Sequence, residues 1–522
     1  MCYKEISDKT ITLPNRLVHM HSAAEQRDIW DKTGTALSNP YVLAIIVFVM
    51  AMITCFSAQL GFDESIWTYM ARMWINYDLP PYSGTVENKT PGIYVVFAIS
   101  NLMFGFNIWF PKLLSALVIT GSALNVYAIC NKLYSRFAAV LGMLLFAVIM
   151  TSPVVDARYV FTETFMVLFI TSSIAAVIHS AYKERIASSR LWLFLAGFLI
   201  GCAVLFKQIA VLDIAAVLVF YLSIYKSKRN RWVADISVFL AGLAVAFGLC
   251  LLMLVLSDIR LKDFKECVWT ILTYSGSTRT EYRLARLKEA LGHSEFVIYF
   301  FAATLFVINR NLIRQKNIPY IGLIFWMLTD VFAANAPGMY WAHHLQQIVP
   351  SLSVMSGIIF GLLIQEYIPA GQKQKKFFTQ IVLGIIVVGI QYETLFGYIL
   401  HGKIMYHIDP RMEETQKAGL FFKSITEPDD YICVLAENAP AVYAYADRRA
   451  PGRHFLETFL NKPEYKQEMK EALIARPPKL LVIQKNPFTK VWFAEFMRKY
   501  KYKSGVFNAN IKYRCRVFER GD

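Results

Sequence analysis

The sequence predicts an α-helical polytopic membrane protein of about eleven transmembrane helices. Interfacial helices are expected in its first outer loop, and a small soluble α/β domain at its C-terminal end. Three observations carry this. Of 522 residues, 56% are hydrophobic and 18% charged, against about 25% charged in a soluble domain. The apolar residues come in blocks of about 17–25, the length that crosses hydrocarbon as helix. From residue 400 the chain turns polar with mixed charge.

Apolar runs place spans at 40–60, 111–130, 137–154, 163–181, 191–206, 209–225, 233–256, 294–309, 318–334, 345–365 and 377–398. Backbone groups find no partner in lipid, so each must be helical. The loops between them alternate in charge. Lys132 and Arg136, then Lys183, Arg185 and Arg190, then Lys226, Lys228, Arg229 and Arg231, then Arg310, Arg314 and Lys316, then Lys373, Lys375 and Lys376 fill every second one. Cations stay on the cytoplasmic side. The tail 1–39 is therefore expected inside. The first outer loop 61–110 and the domain 399–522 are expected outside, flanking a membrane domain over 40–398. The long basic loop 257–293 weighs little in this rule. The net charge of +16 is absorbed by these loops, so nucleic acid is not an expected partner; membrane lipids are.

In the polar C-terminal stretch, residues 431–435 and 479–484 read as buried strands. Residues 462–476 read as a helix stopped by Pro477-Pro478. Cys433 and Cys515 fall here and are able to pair if the domain is extracytoplasmic.

The outer loops carry the chemistry. Asp63-Glu64 follows the first span and opens a stretch with Ile66, Met70, Trp74 and Tyr77 at helical spacing. This predicts an amphipathic interfacial helix, and the acids alone suit a helix start. Lys89 follows within Glu87-Asn88-Lys89-Thr90-Pro91-Gly92, as an interfacial anchor or a phosphate contact. Asp156, Arg158 and Glu163 sit between spans three and four, and Lys207 between five and six. Tyr340, His343 and His344 lie between nine and ten. Two adjacent histidines point about 100° apart on a helix, so no metal ligand set is expected. All of these fall on one side under a topology drawn from cations elsewhere. Carboxylates, lysines and histidines at one membrane face suit deprotonation of a hydroxyl beside a phosphate.

These residues together resemble the GT-C membrane glycosyltransferases, and among them the bacterial protein O-mannosyltransferases and lipid A aminoarabinose transferases. The resemblance rests on Asp63-Glu64, on the stretch ending Pro81-Tyr82, and on Lys89-Thr90-Pro91. It extends to Pro111-Lys112-Leu113-Leu114-Ser115, to Gly197 and Gly201 before Lys207, and to His343 seven residues before Pro350. It covers roughly 40–365. His344 stands where relatives have Tyr, and no arginine follows the Asp-Glu pair closely. No insertion of the kind found in eukaryotic protein mannosyltransferases interrupts the spans.

The resemblance implies transfer of a hexose or pentose from a polyprenyl-phosphate donor to a cell-envelope glycan, lipid or protein, outside the inner membrane. Asp63 would be the catalytic base and Glu64 its support. Lys89, Lys207, His343, Tyr340 and Arg279 would hold donor phosphate or sugar. Asp156, Glu163, Arg158 and His344 would line the acceptor or sugar side. No cofactor is expected, since a lysine can neutralise a lipid-phosphate leaving group without a divalent ion. A lipid-sugar flippase is the alternative; it predicts two related halves, which the sequence lacks.

Overall fold

The computed structural model describes residues 39–55, 59–225, 231–275, 280–291, 294–367, 410–484, 486–503 and 516–521. The expected eleventh span 377–398, the tail 1–38, Arg279 and Cys515 lie outside them.

Helix α1 (Pro40–Cys55) starts where the Asn39 side chain accepts from the Tyr41 N–H, 2.9 Å away. The first loop folds into α2 (Phe62–Tyr77) and α3 (Gly92–Phe104). The membrane helices continue as α4 (Trp109–Leu133), α5 (Arg136–Met150), α6 (Thr162–Ala181) and α7 (Ile186–Phe206). Then come α8 (Val211–Ile224) and α9 (Trp232–Leu256). The basic loop forms α10 (Leu261–Ser275) and α11 (Thr280–Leu291). Next are α12 (Ser294–Ile308), α13 (Tyr320–Asn335), a 3-10 segment (Ala342–Ile348) and α14 (Val349–Tyr367).

Among the described residues, five helices are long and apolar enough to cross a membrane: Trp109–Leu133, Thr162–Ala181, Ile186–Phe206, Trp232–Leu256 and Ala342–Glu366. Shorter apolar helices lie over the other expected spans up to 365. The Gly-x-x-x-Gly pattern acquires a purpose where α7 crosses α9. A Cβ on Gly197 would lie 1.8 Å from the Phe239 carbonyl oxygen, and one on Gly242 2.0 Å from that of Phe194. Backbones touch there, which only small residues permit.

The polar region contains α15 (Pro410–Ser424), β1 (Ile432–Leu435), α16 (Ala439–Ala446), α17 (Pro463–Ala475), β2 (Leu480–Ile483), α18 (Lys490–Met497), β3 (Tyr500–Tyr502) and β4 (Arg516–Arg520). The sheet order is β1-β2-β4-β3. β1 and β2 run parallel, Ile432 facing Leu480, and β4 is antiparallel to β2 and β3. The fully buried runs of β1 and β2 are the two strands expected from the sequence. Cys433 lies within β1, a free thiol pushed up to about 12 by burial.

This polar unit packs on α2. Tyr69 of α2 lies 5.1 Å from the Tyr443 ring and 4.7 Å from that of Phe455, and its hydroxyl accepts from the Ala450 N–H at 2.9 Å. Arg72 donates to the carbonyls of Ala444 (3.0 Å) and Tyr443 (2.8 Å) and pairs with Asp447 (2.9 Å), closing the C-terminal end of α16. On its other side Trp67 meets Phe97 of α3, rings 5.6 Å apart. Trp67 and Tyr69 are thus 1% and 2% exposed, covered by protein, whereas Trp74 and Tyr77 of the predicted apolar face are half-buried.

Candidate active site

The site forms around the start of α2. Glu64 builds that start. Its Oε2 accepts from the Gly61 N–H at 2.6 Å, closing the first turn. Its Oε1 accepts from the Val160 N–H at 2.8 Å, tying in the 151–161 loop. The Lys112 ammonium of α4 sits 3.5 Å from Oε2 and donates to the Gln59 carbonyl at 3.1 Å. Both Glu64 oxygens are committed, and the side chain is 1% exposed.

Asp63, one residue earlier, points elsewhere. It has no hydrogen-bond donor among the described residues. Burial pushes its carboxyl up to about 6, while Lys89 pulls it down; Glu87, Glu163 and Lys207 also act on it. These five groups, from α2, the 78–91 loop, α6 and the end of α7, therefore share one neighbourhood.

The 78–91 loop holds Lys89. The Glu87 carboxylate accepts from the Lys89 N–H at 3.0 Å and from the Tyr94 hydroxyl, and lies 3.8 Å from the Lys89 ammonium. The Tyr82 hydroxyl donates to the Lys89 carbonyl at 2.8 Å. Gln208 donates to the Asn88 carbonyl at 2.7 Å. Gly92 lets the loop close on the end of α7, since a Cβ there would lie 2.7 Å from the Leu205 carbonyl oxygen. Lys207 and Lys89 are thereby brought to one site.

Glu163, at the first turn of α6, gathers the rest. The Lys207 ammonium donates to its Oε1. His343 Nε2 and His344 Nε2 lie 3.7 and 3.8 Å from the same oxygen. The Thr162 hydroxyl donates to Oε2 at 2.8 Å. His343 stacks on Phe161 at 4.1 Å. The 3-10 segment bearing the histidines is pinned beneath: Gln347 donates to Asp213 at 3.0 Å, and Thr164 to Gln346 at 2.8 Å.

Glu163, His343 and His344 each offer a ligand atom, all within 4.8 Å of one another. The Lys207 ammonium holds Glu163 Oε1 and the Thr162 hydroxyl holds Oε2, so both carboxylate oxygens already have partners. The adjacent histidines do gain a third potential ligand, Glu163, which their local sequence did not show.

The other expected residues lie at the margin. Asp156 and Arg158 pair with each other at 3.4 Å, and burial pushes the Asp156 carboxyl up. Arg158 covers the Tyr159 ring at 5.5 Å. Tyr340 sits half-buried in the turn after Gly338, with φ +47°. Arg283 of α11 packs on Gly338, where a Cβ would lie 2.6 Å from its guanidinium carbon. Glu87, Tyr82, Lys112 and Gln208 were not assigned roles from the sequence. Tyr82 and Lys112 lie in the motifs that carry the resemblance and Glu87 two residues before Lys89, whereas Gln208 acts through Asn88, 120 positions away.

Residues 88–255 match the family of dolichyl-phosphate-mannose-protein mannosyltransferases. No curated protein matches the chain. Among solved structures, apo ArnT from Cupriavidus metallidurans aligns with TM-score 0.60 at 13% identity, covering 92% of this chain and 96% of that one. ArnT bound to undecaprenyl phosphate gives 0.57 at 14%, covering 92% and 97%. The archaeal oligosaccharyltransferase AglB from Archaeoglobus fulgidus, in complex with an inhibitory peptide and a dolichol-phosphate, gives 0.54 at 11%, covering 87% and 70%. The chain is a multi-pass membrane protein with the GT-C glycosyltransferase fold, similar to the aminoarabinose and O-mannosyl transferases its first loops resemble.

Proposed function

We propose that this protein is a membrane glycosyltransferase moving a sugar from a polyprenyl-phosphate donor to a hydroxyl acceptor on the extracytoplasmic face. The observation that carries the reading is Asp63: a carboxylate held near pKa 6 beside Lys89 and Lys207, with no hydrogen-bond donor among the described residues. A base poised there is mostly ionised at neutral pH yet still accepts a proton. In the step, the acceptor oxygen bonds to the anomeric carbon as the bond from that carbon to the phosphate oxygen breaks. The hydroxyl proton passes to Asp63. The charge growing on the departing phosphate faces the Lys89 and Lys207 ammonium groups, which stabilise it. Glu163 aligns Lys207 with His343 and His344 around the donor, and Glu64 holds the turn that aims Asp63.

The similar ArnT and AglB structures, bound to undecaprenyl phosphate and dolichol-phosphate, support a lipid-phosphate donor. The acceptor is a cell-envelope glycan, lipid or protein. The region 399–522 is read as an extracytoplasmic domain beside the membrane domain 40–398, because its sheet unit packs on the first outer loop. The test is transfer of label from a panel of polyprenyl-phosphate sugars by purified protein and by Asp63→Asn. Loss of about a hundredfold or more in the variant is expected. Near-normal transfer by Asp63→Asn would remove Asp63 from the role, and label crossing liposomes without a change of linkage would favour a flippase.

A further inference from the structure

The Arg453 guanidinium belongs to the polar C-terminal region, yet it reaches into the 78–91 loop. Its Nη1 donates to the Tyr82 carbonyl at 3.2 Å, and its own carbonyl accepts from the Val86 N–H at 3.0 Å. Glu468 grips the guanidinium twice, at 2.7 and 3.1 Å, and Asp263 of α10 lies 3.7 Å away. Such a fork-to-carboxylate pair fixes direction as well as charge. Tyr82, fully buried between the rings of Tyr94 and Phe264, passes the constraint on, because its hydroxyl donates to the Lys89 carbonyl at 2.8 Å. A continuous line of bonds runs Glu468–Arg453–Tyr82–Lys89.

We propose that Arg453 and Tyr82 are positioning residues that set Lys89 beside Asp63, so that the C-terminal region tunes the donor site from above. The proposal rests on the reading of Lys89 as the donor-phosphate contact. It concerns a residue 371 positions from Tyr82, and a region to which the proposed reaction assigns no catalytic part.

The charged groups facing Asp63 are Lys89, Glu87, Glu163 and Lys207. Lys89 favours the ionised form of Asp63, so displacing it moves the acid limb of the pH–rate profile upward. The experiment compares kcat, donor KM and that limb for full-length Lys89→Ala, Arg453→Ala and Tyr82→Phe, the last keeping the buried ring. Arg453→Ala and Tyr82→Phe are expected to raise donor KM by about tenfold or more. They should shift the limb in the same direction as Lys89→Ala, by about half a pH unit or more. Adding Arg453→Ala to Lys89→Ala should move the limb no further. If Lys89→Ala shifts the limb but neither Arg453→Ala nor Tyr82→Phe does, the proposal is overturned and the reading of the site stands. If Lys89→Ala leaves the limb in place, the reading of Lys89 fails and takes the proposal with it. Tyr82→Phe keeps the test decisive should Arg453→Ala fold poorly.

Discussion

Removing the charge of Glu64 should unfold more than it deactivates. Its carboxylate and the Lys112 ammonium are 3.5 Å apart and 1% and 2% exposed. At an effective dielectric constant near 20, that separation corresponds to an attraction of at most about 5 kcal/mol. Glu64→Gln keeps the shape and removes the charge, leaving Lys112 buried against an amide. Breaking one side of a buried pair costs about 3–5 kcal/mol. The amide oxygen can also serve only one of the Gly61 and Val160 N–H groups, and an orphaned donor adds about 1–3 kcal/mol. Lys112→Met in the same chain removes the stranded cation and should recover about 2 kcal/mol or more. The assay is a double-mutant cycle on reversible unfolding in mixed detergent–SDS micelles, followed by tryptophan fluorescence. A coupling energy below about 0.5 kcal/mol would refute the argument, because Glu64 and Lys112 would then act independently.

Asp63 makes opposite demands on activity and stability. Transfer should rise with pH through about 6 and level off above it, as its carboxyl ionises; a flat profile from about pH 5 to 8 would contradict its role as base. Its folded pKa lies above the ordinary carboxylate value, so ionisation costs the folded state, fully above about pH 6 and not at all below about pH 4. Asp63→Asn should therefore melt higher than the native protein at about pH 8 and equally at about pH 4. Arg72→Ala strips the end of α16 of its buried cation and should cost about 3 kcal/mol, read as faster protease cleavage in the exposed turn 427–430. Gly197→Val forces a side chain into the Phe239 carbonyl and should abolish folded yield, measured as monodisperse protein after detergent extraction.

The membrane helices were legible because length and apolarity alone decide them. Asp63, Lys89, Glu163, Lys207 and His343 were expected on one side from the cations of the opposite loops, and the structure brings these five together. Glu64 shows where this stops. Beside Asp63 it reads as a helix-start acid or as the support of the base, but its bonds to Val160 and Lys112 come from segments 96 and 48 positions on. No local pattern encodes those partners. The burial of Trp67 and Tyr69 likewise depends on Tyr443, Phe455 and Phe97. Neither lies on the stripe of Ile66, Met70, Trp74 and Tyr77 that the periodicity picks out, so periodicity held no signal of their burial.

The docking of the C-terminal region on the first loop also fixes when the protein becomes complete. Leu60 N–H donates to the Tyr445 hydroxyl, and Val86 N–H to the Arg453 carbonyl, so residues made early wait for residues made nearly 400 positions later. Such distant pairings close late. During synthesis α2 emerges with Tyr69 and Arg72 uncovered, and the loop carrying Lys89 can bond to Gln208 before it can bond to Arg453. A nascent or truncated chain without residues 445 and 453 therefore carries Asp63, Lys89, Glu163 and Lys207 but lacks the bonds that seat the first loop on the C-terminal region.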